Sequence, residues 1–132
     1  MTTNDPQTVV GKFMKAIAEE RYDDAGALLH ADFVVHEAGG MPFSGEYHGP
    51  QGFFDLYAKM NEGLKLTPGE AIQYLHAQDT VAMRFPLKFT ARASGNSLEM
   101  NLVEVYTVRG GLIVDLDVYY KDPLAITELL EA

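Results

Sequence analysis

Residues 33–57 read FVVHEAGGMPFSGEYHGPQGFFDLY, and three events follow one another in them. Phe33-Val34-Val35-His36-Glu37 mixes β-branched and aromatic residues with two ionisable ones, the make-up of a short strand. Residues 39–50 are punctuated by glycine and proline and read as a loop. A helix opens at Gly49-Pro50, where proline suits a first turn that has no use for its missing N–H. Ionisable side chains at the end of a mostly apolar strand cost free energy unless they are solvated, paired or used. This stretch is therefore the first place to seek a site.

On its N-terminal side, Asp5-Pro6 caps a helix in which Val9, Val10, Phe13, Met14, Ile17 and Ala18 recur at helical spacing, to about Glu20. Asp23 or Asp24 caps a second, short helix through Ala25, Leu28 and Leu29. On its C-terminal side, Phe53, Phe54, Leu56, Tyr57 and Met60 give the third helix a wide apolar face, and Asn61-Glu62-Gly63 stops it. The period then changes to two. Strands are predicted over residues 71–77, 80–93, 98–108 and 112–120, joined by short turns, with Pro86 marking an edge, bulge or bend in the second of them. Asp122-Pro123 opens a last short helix. Sequential strands with tight turns predict an antiparallel meander, hence an α+β fold in one domain spanning residues 1–132.

The chain has 132 residues, a net charge of −9 and a pI near 4.7. That balance offers no electrostatic reason to bind nucleic acid or an anionic membrane. There are no cysteines, which removes disulfides, thiolate metal sites and cysteine nucleophiles. MTTNDPQTVV lacks a basic n-region and a long apolar run, so no signal peptide is expected, and a cytoplasmic location is. His30, His48 and His76 show no i,i+4 pairing with one another or with a carboxylate, so no metal is expected.

Three segments carry a resemblance: LHADFVVH at 29–36, PFSGEYHG at 42–49, and VYY at 118–120. With the element order, they make the chain similar to the nuclear transport factor 2-like superfamily, in its SnoaL-like polyketide cyclase and ketosteroid isomerase-related branch. The resemblance implies a cone-shaped barrel. A curved, mostly antiparallel sheet would wrap around three N-terminal helices and leave one deep apolar pocket for a hydrophobic small molecule, and two copies would pair through the outer sheet face. It implies chemistry without a cofactor, by proton abstraction beside a carbonyl. A hydrophobic ligand held without catalysis is the alternative, since this fold hosts both.

The resemblance also distributes roles. Glu37 falls where the isomerase-like general base sits, and His36 competes for it, because neighbours in a strand face opposite ways. Glu104, in Leu102-Val103-Glu104-Val105-Tyr106, falls near the protonated acid; the handling of such acids in ketosteroid isomerase is a known pattern of pKa tuning. Asp117 is a candidate acid/base, sharing a strand face with Asp115 and Tyr119. Tyr57, Tyr74, Tyr106 and Tyr119 are candidate donors to a developing oxyanion. The isomerases carry their donor tyrosine on the first helix, where this chain has Phe13, Met14 and Ile17. Phe13, Ile17, Phe53, Phe54, Tyr57, Met83, Phe85 and Tyr106 are expected to line the pocket, and Pro42-Phe43 to form a lid over it.

Overall fold

An aspartate followed by a proline starts both terminal helices, as the local chemistry dictates. Asp5 accepts from the Thr8 N–H at 3.3 Å ahead of α1 (Pro6–Ala18), and Asp122 accepts from the Ala125 N–H at 3.2 Å ahead of α4 (Pro123–Glu131). The computed structural model describes residues 5–70 and 72–132. Between the terminal helices lie α2 (Tyr22–Gly26), β1 (Leu29–Glu37), β2 (Gly45–His48), α3 (Gly49–Gly63), β3 (Leu64–Pro68), β4 (Gln73–Ala77), β5 (Thr80–Ala91), β6 (Ser97–Arg109) and β7 (Leu112–Tyr120). The fold is α+β: a curled sheet forms a half-barrel around the helices. No helix among the described residues is long and apolar enough to cross a membrane.

The strand order is β2-β1-β7-β6-β5-β3, with β4 also on β5. β5, β6 and β7 form the expected antiparallel run, but β1 joins β7 in parallel. Two strands were not anticipated. β2 folds back on β1 inside the presumed loop, pairing Glu37 with Gly45 and Val34 with His48. β3 leaves α3 without a turn, Leu64 passing directly to extended backbone. β2 lies within the glycine- and proline-punctuated stretch and β3 runs into Pro68-Gly69, so turn signals mask both. The strand expected from residue 71 begins at Gln73, and residue 71 itself lies outside the described residues.

β3 and β4 share one edge of β5, the first against residues 87–91 and the second against 80–84. The handover falls at Pro86, which has no N–H to offer that edge. Its carbonyl instead accepts from the Gly69 N–H at 2.8 Å. The approach is so close that a Cβ on Gly69 would lie 2.5 Å from Pro86 Cγ.

Alternation along the strands separates two faces. Val81, Met83, Phe85, Leu87 and Phe89 of β5 are buried, while Arg84 and Lys88 are exposed. Leu116, Val118 and Tyr120 of β7 point the same way, against Val10, Phe13 and Ala16 of α1 and Phe53, Leu56 and Met60 of α3. Fully burying each such side chain contributes about 1.5–3 kcal/mol. α4 packs on β5 and β6, and the Thr127 hydroxyl donates to the Gly40 carbonyl. That contact, and the Tyr47 hydroxyl donating to the Phe43 carbonyl at 2.9 Å, pin the loop before β2. Met41 and Phe43 are consequently buried in the core and line no cavity, so the expected lid is corrected to a packed loop.

Candidate functional site

The inner face of the sheet encloses a cavity of about 390 Å³, a size suited to a small organic ligand. Cross-strand register builds its floor in rows. Tyr106 sits beside Leu116, which sits beside Val35; Glu104 sits beside Val118; Leu102 sits beside Tyr120. Phe13, Met14 and Ile17 of α1 and Phe53 and Tyr57 of α3 make the roof. The mouth lies where lining residues are exposed, at Ala18, the last residue of α1, at Glu20 just beyond it and at Pro68 of β3.

Two carboxyls enter this apolar space. Glu37, at the last position of β1, lies two residues beyond buried Val35 and so on the same face. Glu104 stands two residues before Tyr106 on β6, and the Tyr106 hydroxyl donates to Glu104 Oε1 at 2.8 Å. The same hydroxyl lies 3.3 Å from Met14 Sδ of α1. Both carboxyls retain some accessible surface, but the surface is turned to the cavity rather than to bulk water.

Desolvation in this setting pushes Glu37 up to about 7. Contact with the Tyr120 hydroxyl and the Ala38 N–H pulls it partly back, and the neighbouring charge of Glu104 pushes it further up. Burial likewise lifts Glu104 to about 7, against the pull of the Tyr106 hydroxyl. Tyr106 and Tyr120 are both raised, first by burial and then by the carboxyl each one faces. They therefore stay neutral donors. Among the described residues, Glu37 Oε1 is buried without a hydrogen-bond partner. Near neutral pH the cavity thus holds two carboxyls that can each take or release a proton, and two phenols beside them.

Of the residues expected at the pocket, Glu37, Glu104, Tyr106, Tyr57, Phe13, Ile17, Phe53 and Phe85 line it. Met83 is buried on the same sheet face but contributes no lining, and Phe54 turns away to meet Tyr22, ring centroids 6.0 Å apart. Tyr74 lies outside the lining, exposed on β4. His36, Asp117 and Tyr119 are corrected: strand alternation puts them on the outer face. There His36 Nδ1 lies 3.0 Å from Glu46 Oε2 and its Nε2 2.8 Å from Asp115 Oδ1. Burial opposes a charge on this imidazole, but hydrogen bonding and charge from Asp115 and Glu46 outweigh it, and its pKa is raised. The Tyr119 hydroxyl donates to Asp117 Oδ2 at 3.0 Å. Tyr120 was missed. The signal was present, since placing Asp115, Asp117 and Tyr119 on one face leaves Leu116, Val118 and Tyr120 on the other.

Arg84 is also on the outer face, hydrogen-bonded to Gln73. Among the described residues no group of three His, Cys, Asp or Glu side chains is disposed to hold a metal ion.

A half-barrel cupped over helices, with one deep pocket inside, is the architecture of the nuclear transport factor 2-like proteins. Within them, this chain belongs to the SnoaL-like domain family, whose pattern it matches over residues 10–116. It superposes on an NTF2-like protein from Burkholderia xenovorans with a TM-score of 0.85 at 19% identity, covering 96% of this chain and 98% of the other. A protein assigned as a SnoaL-like polyketide cyclase from Mesorhizobium loti gives 0.70 at 23%, covering 91% and 100%. One assigned as a polyketide cyclase from Xanthomonas campestris gives 0.81 at 15%, covering 97% and 99%. At these identities the likeness concerns the fold. No protein of curated function matches the chain by sequence.

Proposed function

We propose that this protein is a cofactor-independent isomerase or cyclase that abstracts a proton beside the carbonyl of a hydrophobic substrate. One observation carries the reading: Glu37 and Glu104 converge on a single apolar cavity, each beside a phenol. A base with a pKa near the working pH is the efficient one, and a positioned base contributes about 10²–10⁴-fold. Glu37 takes the proton from the carbon next to the carbonyl. The C–H electron pair moves onto the carbonyl oxygen as an enolate. Tyr120 and protonated Glu104, the latter oriented by Tyr106, donate to that oxygen. Return of the proton to a different carbon completes an isomerisation; attack of the enolate carbon on a second carbonyl closes a ring. The SnoaL-like polyketide cyclase assignments of structural neighbours point toward the ring closure.

The test is deuterium uptake at the carbons flanking the carbonyl of 2-tetralone, followed by NMR in D₂O. Wild type should exchange them faster than buffer, with a bell-shaped pH dependence centred near pH 7, since Glu37 must be ionised and Glu104 protonated. Glu37→Gln should lose at least about 100-fold of the enhancement. Equal rates in wild type and Glu37→Gln would leave a non-catalytic binder of hydrophobic ligands, a reading favoured by the mostly hydrocarbon walls.

We further propose a cytoplasmic location and a pairing of two copies through the outer sheet face, where Leu75 and Tyr119 are exposed and Val103 and Val105 half-buried. Sedimentation of wild type against Val105→Lys tests the pairing; a wild-type monomer would end it.

A further inference from the structure

The ionisable groups that face the cavity are Glu37 from β1, Glu104 and Tyr106 from β6, Tyr120 from β7, Tyr57 from α3 and Glu20 at the mouth. α1, β3 and β5 contribute only apolar side chains to the lining, and no Lys, Arg or His is part of it. The site therefore has a surplus of acceptors. The Tyr106 hydroxyl is committed to Glu104 Oε1, the Tyr120 hydroxyl is turned to Glu37, and among the described residues Glu37 Oε1 has no hydrogen-bond partner. Leaving a buried acceptor unmet costs about 1–3 kcal/mol. The cavity wall is partly aromatic: Phe13 lies edge-to-face with Phe53 and with Tyr106, centroids 5.3 and 6.3 Å apart, and ring faces attract cations.

Glu20, one residue beyond the Glu19 cap of α1, has a φ of 58°, a left-handed position that normally falls to glycine. A glutamate there accepts backbone strain and sets a third carboxylate at the entrance.

We propose that the cavity takes an organic ammonium ion, a hydrophobic amine whose N–H groups satisfy the carboxyls of Glu37 and Glu104 while its apolar body lies on the rings. This uses the same cavity as the proton-abstraction reading but does not rest on its chemistry: with both carboxyls charged and held by the ammonium, the base and acid roles of Glu37 and Glu104 are blocked, so the amine occupies the site in place of the carbonyl substrate. A carboxylate ligand would instead add a further anion in a low-dielectric space without a counter-charge. An aliphatic amine stays charged well above neutral pH. Its binding draws both carboxyls into their charged forms and releases protons, so affinity increases as pH rises through about 7.

Three probes with one ring body separate the possibilities: 2-(2-naphthyl)ethylamine, 2-(2-naphthyl)ethanol and 2-naphthylacetic acid, titrated by calorimetry at about pH 6 and about pH 8. The amine should bind at least about tenfold tighter than the alcohol at the higher pH, with a smaller advantage at the lower one, and the acid should not bind. Glu37→Gln should erase the amine's advantage and keep alcohol binding; Glu104→Gln serves if that variant does not fold. Alcohol binding as tight as the amine, binding of the acid, or no amine binding would each overturn the proposal. Exchange of 2-tetralone without amine binding would sink the ammonium ligand alone. Amine binding without exchange would sink the proton abstraction alone.

Discussion

Tyr106 donates its hydroxyl to Glu104, two residues earlier on the same strand, across 2.8 Å inside an otherwise apolar cavity. Side chains two apart in a strand share a face, so the pairing follows from local geometry once that face is turned inward. Because the donor is neutral, it lowers the cost of a charge on Glu104 without cancelling it. The carboxyl is left near the pH at which a proton can move either way.

The two raised carboxyls make stability fall with pH. Both move from 4.5 to about 7 on folding, so between those values the folded chain holds protons that the unfolded chain has released. Stability is fully present below about pH 4.5 and is lost as pH rises through about 7, by about 3 kcal/mol for each group. Urea unfolding of wild type should show a lower midpoint at pH 8 than at pH 5.5. Glu37→Gln/Glu104→Gln should remove most of that difference. A pH slope unchanged in the double variant would contradict the burial of these groups.

His36 bridges Glu46 and Asp115 through both ring nitrogens, an arrangement that requires imidazolium to donate twice. Its raised pKa means that the staple is present below about 6.5 and lost as pH climbs through the higher folded value. These side chains are partly exposed, so the coupling is worth about 0.2–1 kcal/mol. NMR titration should place the His36 transition above 6.5 in wild type and move it down in Asp115→Asn. No movement would refute the bridge.

Glu20→Gly should stabilise the protein by about 1 kcal/mol, because glycine adopts the left-handed position without strain. Differential scanning calorimetry reads this directly. A lower melting temperature in Glu20→Gly would mean that its side chain contributes more than the strain costs.

Two glycines should respond oppositely to alanine. At Gly69 a new Cβ meets the rigid ring of Pro86 where β3 hands over to β4, and overpacking of this kind costs about 1–3 kcal/mol. At Gly11, inside α1, nothing lies within 4 Å of the new atom, and helix propensity favours alanine by about 1 kcal/mol. Chemical denaturation of the two variants should move their midpoints in opposite directions.

Much of this was legible locally. The capped helices, the inward run Val81–Phe89 and the last three strands follow from periods of 3.6 and 2 that each segment carries within itself. The inward turn of Glu37 was one of two readings the stretch at 33–37 allowed, because alternation says that His36 and Glu37 part company but not which one meets the core. Tertiary structure decided that, through the parallel pairing of β1 with β7, which sets Val35 beside Leu116 and His36 beside Asp117. The same pairing carried His36, Asp117 and Tyr119 out of the cavity and brought Tyr120 into it. β2 and β3 were invisible because the glycines and prolines beside them read as turns, and what extends them is pairing with β1 and β5. The amino-acid sequence determined where each element begins, ends and turns its apolar side, since those are short-range properties of the chain. Which polar groups meet in one cavity, and how far burial moves their protons, depends on residues up to about a hundred positions apart, and only the closed sheet brings these together.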